Sequence, residues 1–438
     1  MMANNIRKYI DKKALLIQNG FPCGNWNENG IGILQLRPFN VSNLGLINLN
    51  QKKYIEIEKN IKTYQVRYND IIFTNTNSEI LVGRTALWKS NENCVLSNHM
   101  SIIRVLNKEE LSPSFLAHFL HYQWISGFSK SICRRHVNQA SIGIDKLKAI
   151  ELPEYSIFEQ HKIAHVLNTV QKAIEQQDNL IRTTTELKKT LMQKLFTEGT
   201  RGEPQKETEI GLVPGSWEVK PFSEIFEIIK NQSHSRDKLT SEKTETKVLN
   251  IHYGDIHAKF KGNIVDLELE EVPYIIDEYV DEIKNNYLRD GDIVIADASE
   301  DLIDIGKCIE LKNVKNRKII GGLHTIIARN KKNFIQNGFG AYIFKNKYVS
   351  TELRFIANGL SVYGISKGNL LKMLIPIPPA QEQVEIGKTM DRCNKKIFFH
   401  QKKKQTLTTL FKTLLYELMT GQRRVHELEF EVLQSKTL

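Results

Sequence analysis

A chain of 438 residues, 41% of them apolar and 25% charged, is long enough for two or three domains with sizeable cores. Its net charge of +11, from 61 Lys+Arg against 50 Asp+Glu, points to a polyanionic partner and says nothing of fold. Cys23, Cys94, Cys133, Cys308 and Cys393 are scattered without a C-x-x-C pair, which argues against a disulfide framework or zinc ribbon; no apolar run nears the roughly 18 residues of a membrane span, and the charged residues 1–13 carry no secretory leader, so a cytoplasmic protein is expected.

The first 150 residues hold about 19 Lys+Arg against about 10 Asp+Glu, a basic domain able to neutralise phosphates. Alternating or β-branched runs at 31–37, 54–57, 70–74, 82–88 and 101–105, punctuated by Gly and Asn, predict short strands. Residues 113–126, with Phe115, Leu116, Phe119, Leu120 and Trp124, predict a helix packed on them.

Next comes the stretch that organises the chain, 159–196, because it is written twice. Glu159, Gln160, Ile163, Leu167, Val170, Ile174, Ile181, Leu191 and Leu195 align with Glu382, Gln383, Ile386, Met390, Cys393, Ile397, Lys404, Leu414 and Leu418 at an offset of about 223. Steps of three and four put each set on one helical stripe with nearly a seven-residue period. A helix of about 36 residues is roughly 54 Å long, more a ruler than an average globular helix. Glu151-Leu152-Pro153 and Ile375-Pro376-Ile377-Pro378-Pro379 stop each helix from starting earlier and leave Glu and Gln in its first turn, where the dipole favours a carboxylate. The stripes, with Leu407 on the second, can bury each other as an intramolecular coiled coil; Gln177, Thr184, Lys188, His400 and Lys404 near mid-stripe set register at some cost in stability. The alternative is two core helices of one domain.

Charged residues 201–209, with Gly202 and Pro204, read as a linker, and Val213-Pro214 to Trp217 as a turn feeding a strand or short helix. A second unit then repeats the first. Asp70 is echoed by Asp292, Val82-Gly83-Arg84 by Ile305-Gly306-Lys307, and His99 with Arg104 by His324 with Arg329. A shared fold with divergent loops is the pattern of two recognition modules tuned to different targets. Residues 264–304 are acidic and 307–332 basic, so one face suits DNA while another repels it or meets a protein. The counterpart of the Val213 to Trp217 lead-in would fall before Met1, so either the first unit lacks it or the start is late.

No phosphate-cradling G-x-x-x-x-G-K-[ST] loop and no G-x-G-x-x-G occurs; the stretch from Gly359 to Ser366 has glycine spacing without the lysine and sits where the first unit has an unrelated sequence. Nor is there the Asn-Pro-Pro-Tyr/Phe loop of an amino-methyltransferase. The chain is therefore expected neither to methylate nor to hydrolyse ATP unaided. Asp297, Glu310 and Lys312 imitate a magnesium-dependent nuclease cleft, but the first unit has Asn75 at the Asp297 position and lacks the Glu-x-Lys. His99 and His324 read as structural residues beside a strand. Candidate DNA contacts are Asn25, Trp26, Asn27, Gln35, Arg37, Arg84, Arg134, Arg135 and Asn138 in the first unit, and Arg236, His252, Lys259 and Lys307 in the second, because Arg, Asn and Gln bond base edges and cations hold phosphates.

Taken together, the duplication, the Glu159-Gln160 and Glu382-Gln383 helix starts, the helix ends 191–197 and 414–420, and Val213-Pro214 to Trp217 resemble the specificity subunit of type I restriction–modification enzymes along almost the whole chain. The resemblance implies an α+β architecture with an internal pseudo-twofold repeat: target-recognition domains at 1–150 and 210–375, spacer helices at 151–200 and 376–425 pairing antiparallel, and a tail at 426–438. It further implies a bipartite, gapped double-stranded DNA target, docking of two methyltransferase subunits, and a restriction/translocase subunit. S-adenosylmethionine, ATP and magnesium would belong to those partners, with no cofactor, catalytic residue or metal in this chain. The alternatives are a self-sufficient nuclease and a stand-alone DNA-binding regulator.

Overall fold

The computed structural model describes residues 4–428 apart from 24, 58–60, 261 and 281–285; the expected tail 426–438 therefore lies outside the described residues beyond 428. The chain forms two compact units, one holding residues up to Asp178 and from Lys402 onward, the other Asn179–Gln401. The division falls within the two long helices, Ile157–Thr197 and Ala380–Thr420, each of 41 residues, so each unit contains half of each helix.

In the first unit a four-stranded antiparallel sheet runs in the order Leu15–Asn19, Met100–Val105, Ile71–Thr74, Thr85–Leu87. Alternate side chains of its central strand enter different cores, Ile71 and Phe73 the one beneath the helices and Ile72 the one shared with Leu34, Trp88 and Ile102. The latter is closed by a three-stranded sheet in which Ile33–Leu36 pairs parallel with Cys94–Leu96 and antiparallel with Tyr54–Ile55. Helix Pro113–Ile125 covers the other face with Phe115, Leu116, Phe119 and Leu120; Pro113 suits its first turn and Ser112 Oγ caps the Phe115 N–H.

The second unit repeats this plan and adds to it. Phe226–Ile229, Thr325–Asn330, Ile293–Ala296 and Cys308–Lys312 occupy the places of the four strands, and Ile264–Asp266 extends the edge as a fifth, parallel to Cys308–Lys312. Val248–Ile251 again pairs parallel with Lys318–Gly321. The same ion pair, its carboxylate buried in both units, pins both central strands. Arg104 donates from Nε and Nη2 to Asp70 at 2.8 and 2.6 Å and to the Gln65 carbonyl at 3.0 Å. Arg329 does so to Asp292 at 2.9 and 2.7 Å and to the Tyr287 carbonyl at 2.9 Å. Both aspartates also accept the backbone N–H three residues upstream, from Arg67 and Arg289, so the turn before each strand is fixed by the pair.

Residues 201–209 do not form the expected linker. Gln205–Thr208 pairs antiparallel with Gly211–Pro214, Glu203 accepts from Ser216, and Gln205 Nε2 donates to the Thr197 carbonyl, so the segment is a hairpin folded on the second unit. Charge and glycine content here serve a turn.

Each long helix is fastened by the Glu-Gln pair of its first turn. Gln160 accepts the Ser112 N–H at 2.9 Å and donates to the Tyr155 carbonyl at 3.0 Å; Gln383 accepts the Gln336 N–H at 2.8 Å and donates to the carbonyls of Phe334 and Pro378, both at 2.9 Å. The neighbouring glutamates hold the end of the other helix. Glu159 accepts from Arg424 Nε at 2.7 Å and from its Nη2, beside a Tyr155 hydroxyl bonded to the Leu418 carbonyl; Glu382 accepts from Trp217 Nε1 at 3.1 Å and from the Thr200 N–H. Asp178 pairs with Lys404 while Glu159 pairs with Arg424, so sequence number rises along one helix as it falls along the other and the two run antiparallel within the first unit.

Burial of the apolar stripe follows that pairing. Leu167, Ile174, Phe411, Leu414, Leu415 and Leu418 lie in the first unit's core with Val170 and Leu407 against it; Ile386, Met390 and Phe196 lie in the second unit's core with Leu191 and Leu195 against it. Ile181 and Ile397 are only half-buried, while the polar Gln177 and Thr184 on the first helix are buried.

Two measurements probe these contacts. Glu382→Ala removes the acceptor of the buried Trp217 indole N–H and of the Thr200 N–H and is expected to cost roughly 2–4 kcal/mol, seen as a lower urea midpoint, whereas Glu382→Gln, which keeps an acceptor, costs less. Burial depresses His118 to about 4 and His121 to about 3, so both are neutral in the folded protein. Below an unfolded pKa near 6.5 the unfolded chain binds protons that the folded chain refuses. Stability is thus full above about pH 6.5 and falls by about 1.4 kcal/mol per pH unit for each histidine as pH drops toward 4. Thermal unfolding of His121→Phe is expected to show a shallower acid limb than the native chain.

Candidate nucleic-acid interface

Both main sheets end at matching corners. In the first unit the strand Ile71–Thr74 leads into Asn75, whose N–H donates to the His99 carbonyl and whose side-chain amide donates to Ser101 Oγ at 2.9 Å. In the second, Asp297 donates its N–H to the His324 carbonyl and faces the His324 ring, Oδ1 to Nδ1 3.3 Å. Burial pushes the Asp297 carboxyl up, and the adjacent His324 and Lys367 pull it partly back. Tyr253 stands edge-on to His324 at 5.2 Å and also faces the rings of His252 and His257, giving this corner an aromatic wall with no counterpart among the described residues of the first unit.

From each corner a three-stranded finger projects. Thr76–Asn77 pairs with Ala140–Ser141, which pairs with Arg134–Arg135; Ala298–Ser299 pairs with Tyr363–Ile365, which pairs with Ala357–Asn358. The stretch after Gly359, unrelated in sequence to the first unit, is thus the topological twin of the loop containing Asn138. Sequence comparison missed it because a hairpin loop requires only a turn. The signal available was the offset: Arg134 to Ala357 is 223 residues, as in the helices.

The candidate contacts divide by what their side chains already hold. Arg134, Arg135 and Asn138 are exposed on the finger, Arg135 also pairing with Glu79 at 2.7 Å. Asn25 and Lys259 are exposed, and Trp26 presents 47% of its surface with Lys53 Nζ 3.2 Å and Arg37 5.7 Å from its ring centre. Arg37 is half-buried and donates to Gln35. Others are already engaged within the fold. Arg84 is 8% exposed and binds Asn43 and the Pro38 carbonyl, because its position beneath the loop needs donors there. Gln35 is buried, and the Asn27 amide closes the turn to Ile31. His252 is 7% exposed with Nδ1 accepting the Gly254 N–H, and Lys307 donates to the His257 carbonyl. Arg236 leans from the surface onto both oxygens of buried Asp255, so its charge is largely matched.

The nuclease constellation does not assemble. Glu310 accepts the N–H groups of Gly338 and Ala341 and is pushed up to about 7 by burial; Asp297 faces His324; Lys312 is exposed beside Asp266. Among the described residues no three His, Cys, Asp or Glu side chains are grouped to hold a metal, and no helix is long and apolar enough to cross a membrane.

A mixed α/β unit present twice, each copy mounted on paired halves of two long helices and carrying a three-stranded finger at one corner, defines a protein built of two copies of one module. The family model for the type I restriction modification DNA specificity domain matches residues 10–182 and 214–409, and the chain belongs to that family: it is a DNA sequence-recognition subunit of a type I restriction–modification system. A Methanocaldococcus jannaschii protein assigned to the MjaX type I restriction enzyme as its specificity subunit is 26% identical over 414 residues, covering 94% of this chain and 91% of that one. The MjaVIII specificity subunit of the same organism is 26% identical over 285 residues, 64% of each chain. Among solved structures, the type I S subunit from M. genitalium shares the fold with a TM-score of 0.57 at 16% identity, covering 95% of this chain and 96% of that one. A chain from a structural study of type I complex assembly and conformational transition matches with a TM-score of 0.50 at 16% identity, with coverage of 95% and 96%.

Surface cations and struts are separable by salt. Arg134→Ala is expected to flatten the slope of log K against log salt for duplex DNA by about 0.9, one phosphate contact. Arg84→Ala leaves the slope unchanged and lowers the unfolding midpoint instead.

Proposed function

We propose that this subunit is non-catalytic and reads a bipartite, gapped double-stranded DNA target, one half-site per unit, with the two long helices acting as a coiled-coil spacer that sets the gap. The observation that carries this reading is the duplication itself. Two copies of one recognition fold, each fixed to helix halves by the same Glu-Gln clamp, have a use when two half-sites are read together, and the differing corners, His99 with Asn75 against Tyr253, His324 and Asp297, suit two different half-sites.

Two methyltransferase subunits dock on the helices and flanking parts of the units, one to each repeat, and a restriction/translocase subunit joins them. Apolar side chains left exposed along the helices, Leu187, Phe398 and Phe399, support such docking. S-adenosylmethionine, ATP and magnesium are bound by those partners, and the complex works in the cytoplasm. The scattered partners of Asp297, Glu310 and Lys312 give the nuclease alternative no support.

The test is a genome-wide map of methylated bases with the gene intact and deleted. One gapped, two-part motif is expected to vanish on deletion. Survival of every methylated motif counts against the reading.

A further inference from the structure

The two fingers carry an aliphatic residue at the same place. Val137 and Leu360, 223 positions apart, are the second residues of their tips and are 100% and 96% exposed. The tips are otherwise unlike in sequence, His136-Val137-Asn138-Gln139 against Gly359-Leu360-Ser361-Val362, and their last paired residues differ by one step, Arg135 facing Ala140 but Asn358 facing Gly364. The His136 N–H donates to the Gln139 carbonyl, and Gly359, at φ +133, comes so close to the Val362 carbonyl that a Cβ there would overlap it. One aliphatic side chain in water is ordinary, but the repetition of its place at the summit of two diverged loops is not explained by packing.

The mount is stiff. The finger strands Thr76–Asn77 and Ala298–Ser299 directly follow the main-sheet corners, and the N–H groups of Ile142 and Ile365 donate to the carbonyls of Asn75 and Asp297, both at 2.8 Å. The charges beside the two fingers differ: in the first unit Arg134 is exposed and Lys130 and Arg135 pair with Glu79, whereas in the second the strand Ala298–Ser299 runs on into Glu300 and Asp301, with Arg354 and Lys367 just outside the other two strands. The major groove admits a β-hairpin, and on its floor the thymine methyl is the apolar feature that an aliphatic summit can meet.

We propose that Val137 and Leu360 are specificity-determining residues whose side chains pack on a thymine methyl group, one in each half-site. This deepens the two-half-site reading and rests on it. The experiment uses the subunit assembled with its methyltransferase partner and synthetic duplexes carrying the motif that the complex methylates. Val137→Ser and Leu360→Ser are expected to slow methylation roughly tenfold, the loss of one buried aliphatic contact, while Val137→Ile retains the rate. Replacing thymine by uracil, which removes the methyl, in one half-site reproduces the loss for the native complex and adds nothing to the variant that reads that half-site. Serine variants as fast as the native protein, uracil losses that add to the serine losses, or a motif with no A·T pair in its half-sites each overturn the proposal. A native complex that methylates no gapped motif overturns the proposed function instead, and this inference falls with it.

Discussion

The structure depends on two glutamine–glutamate pairs. Each sits in the first turn of a long helix, where a side chain has the helix dipole behind it and can reach loops on both sides of the axis. Gln160 and Gln383 tie a helix to the loop preceding a domain helix or turn, at Ser112 and Gln336; Glu159 and Glu382 seize the end of the opposite helix through Arg424 or through Trp217 and Thr200. Four side chains therefore fix where each domain stands on its helix halves. The glutamate partners differ chemically, a guanidinium in one unit and an indole with a backbone amide in the other, although the carboxylates occupy equivalent places. Duplication preserved the acceptor while the segments supplying the donor diverged.

A similar economy governs the domains. The Asp70–Arg104 and Asp292–Arg329 pairs match in their bonding, down to the carbonyl that takes the second Nη2 hydrogen. A buried ion pair that loses one member leaves an uncompensated charge, so neither residue can change alone. Loops carry no such constraint. The second unit has gained a fifth strand, Ile264–Asp266, and an aromatic corner around Tyr253 without disturbing the central strands.

Charged residues in this protein do two jobs that composition cannot separate. Arg84 and Arg104 are buried and Arg329 half-buried, all three donating to carbonyls or carboxylates, whereas Arg134 and Lys259 face solvent. Net charge measures their sum, and only the exposed share is available to phosphates.

The sequence by itself determined the duplication and the two long helices, because these rest on period and repetition: a stripe at steps of three and four is readable wherever it occurs, and a second copy at a constant offset confirms it. It also determined the absence of phosphate-binding and methyltransferase loops. Only the tertiary structure decided that 201–209 is a hairpin, that Arg84, Gln35 and His252 are internal, and that the loops at Val137 and Leu360 are one element. The reason is physical. Periodicity records which side of an element meets the core, a property of neighbours along the chain, whereas the partner of a polar side chain is fixed by residues dozens of positions away, as Arg84 is by Pro38 and Glu159 by Arg424.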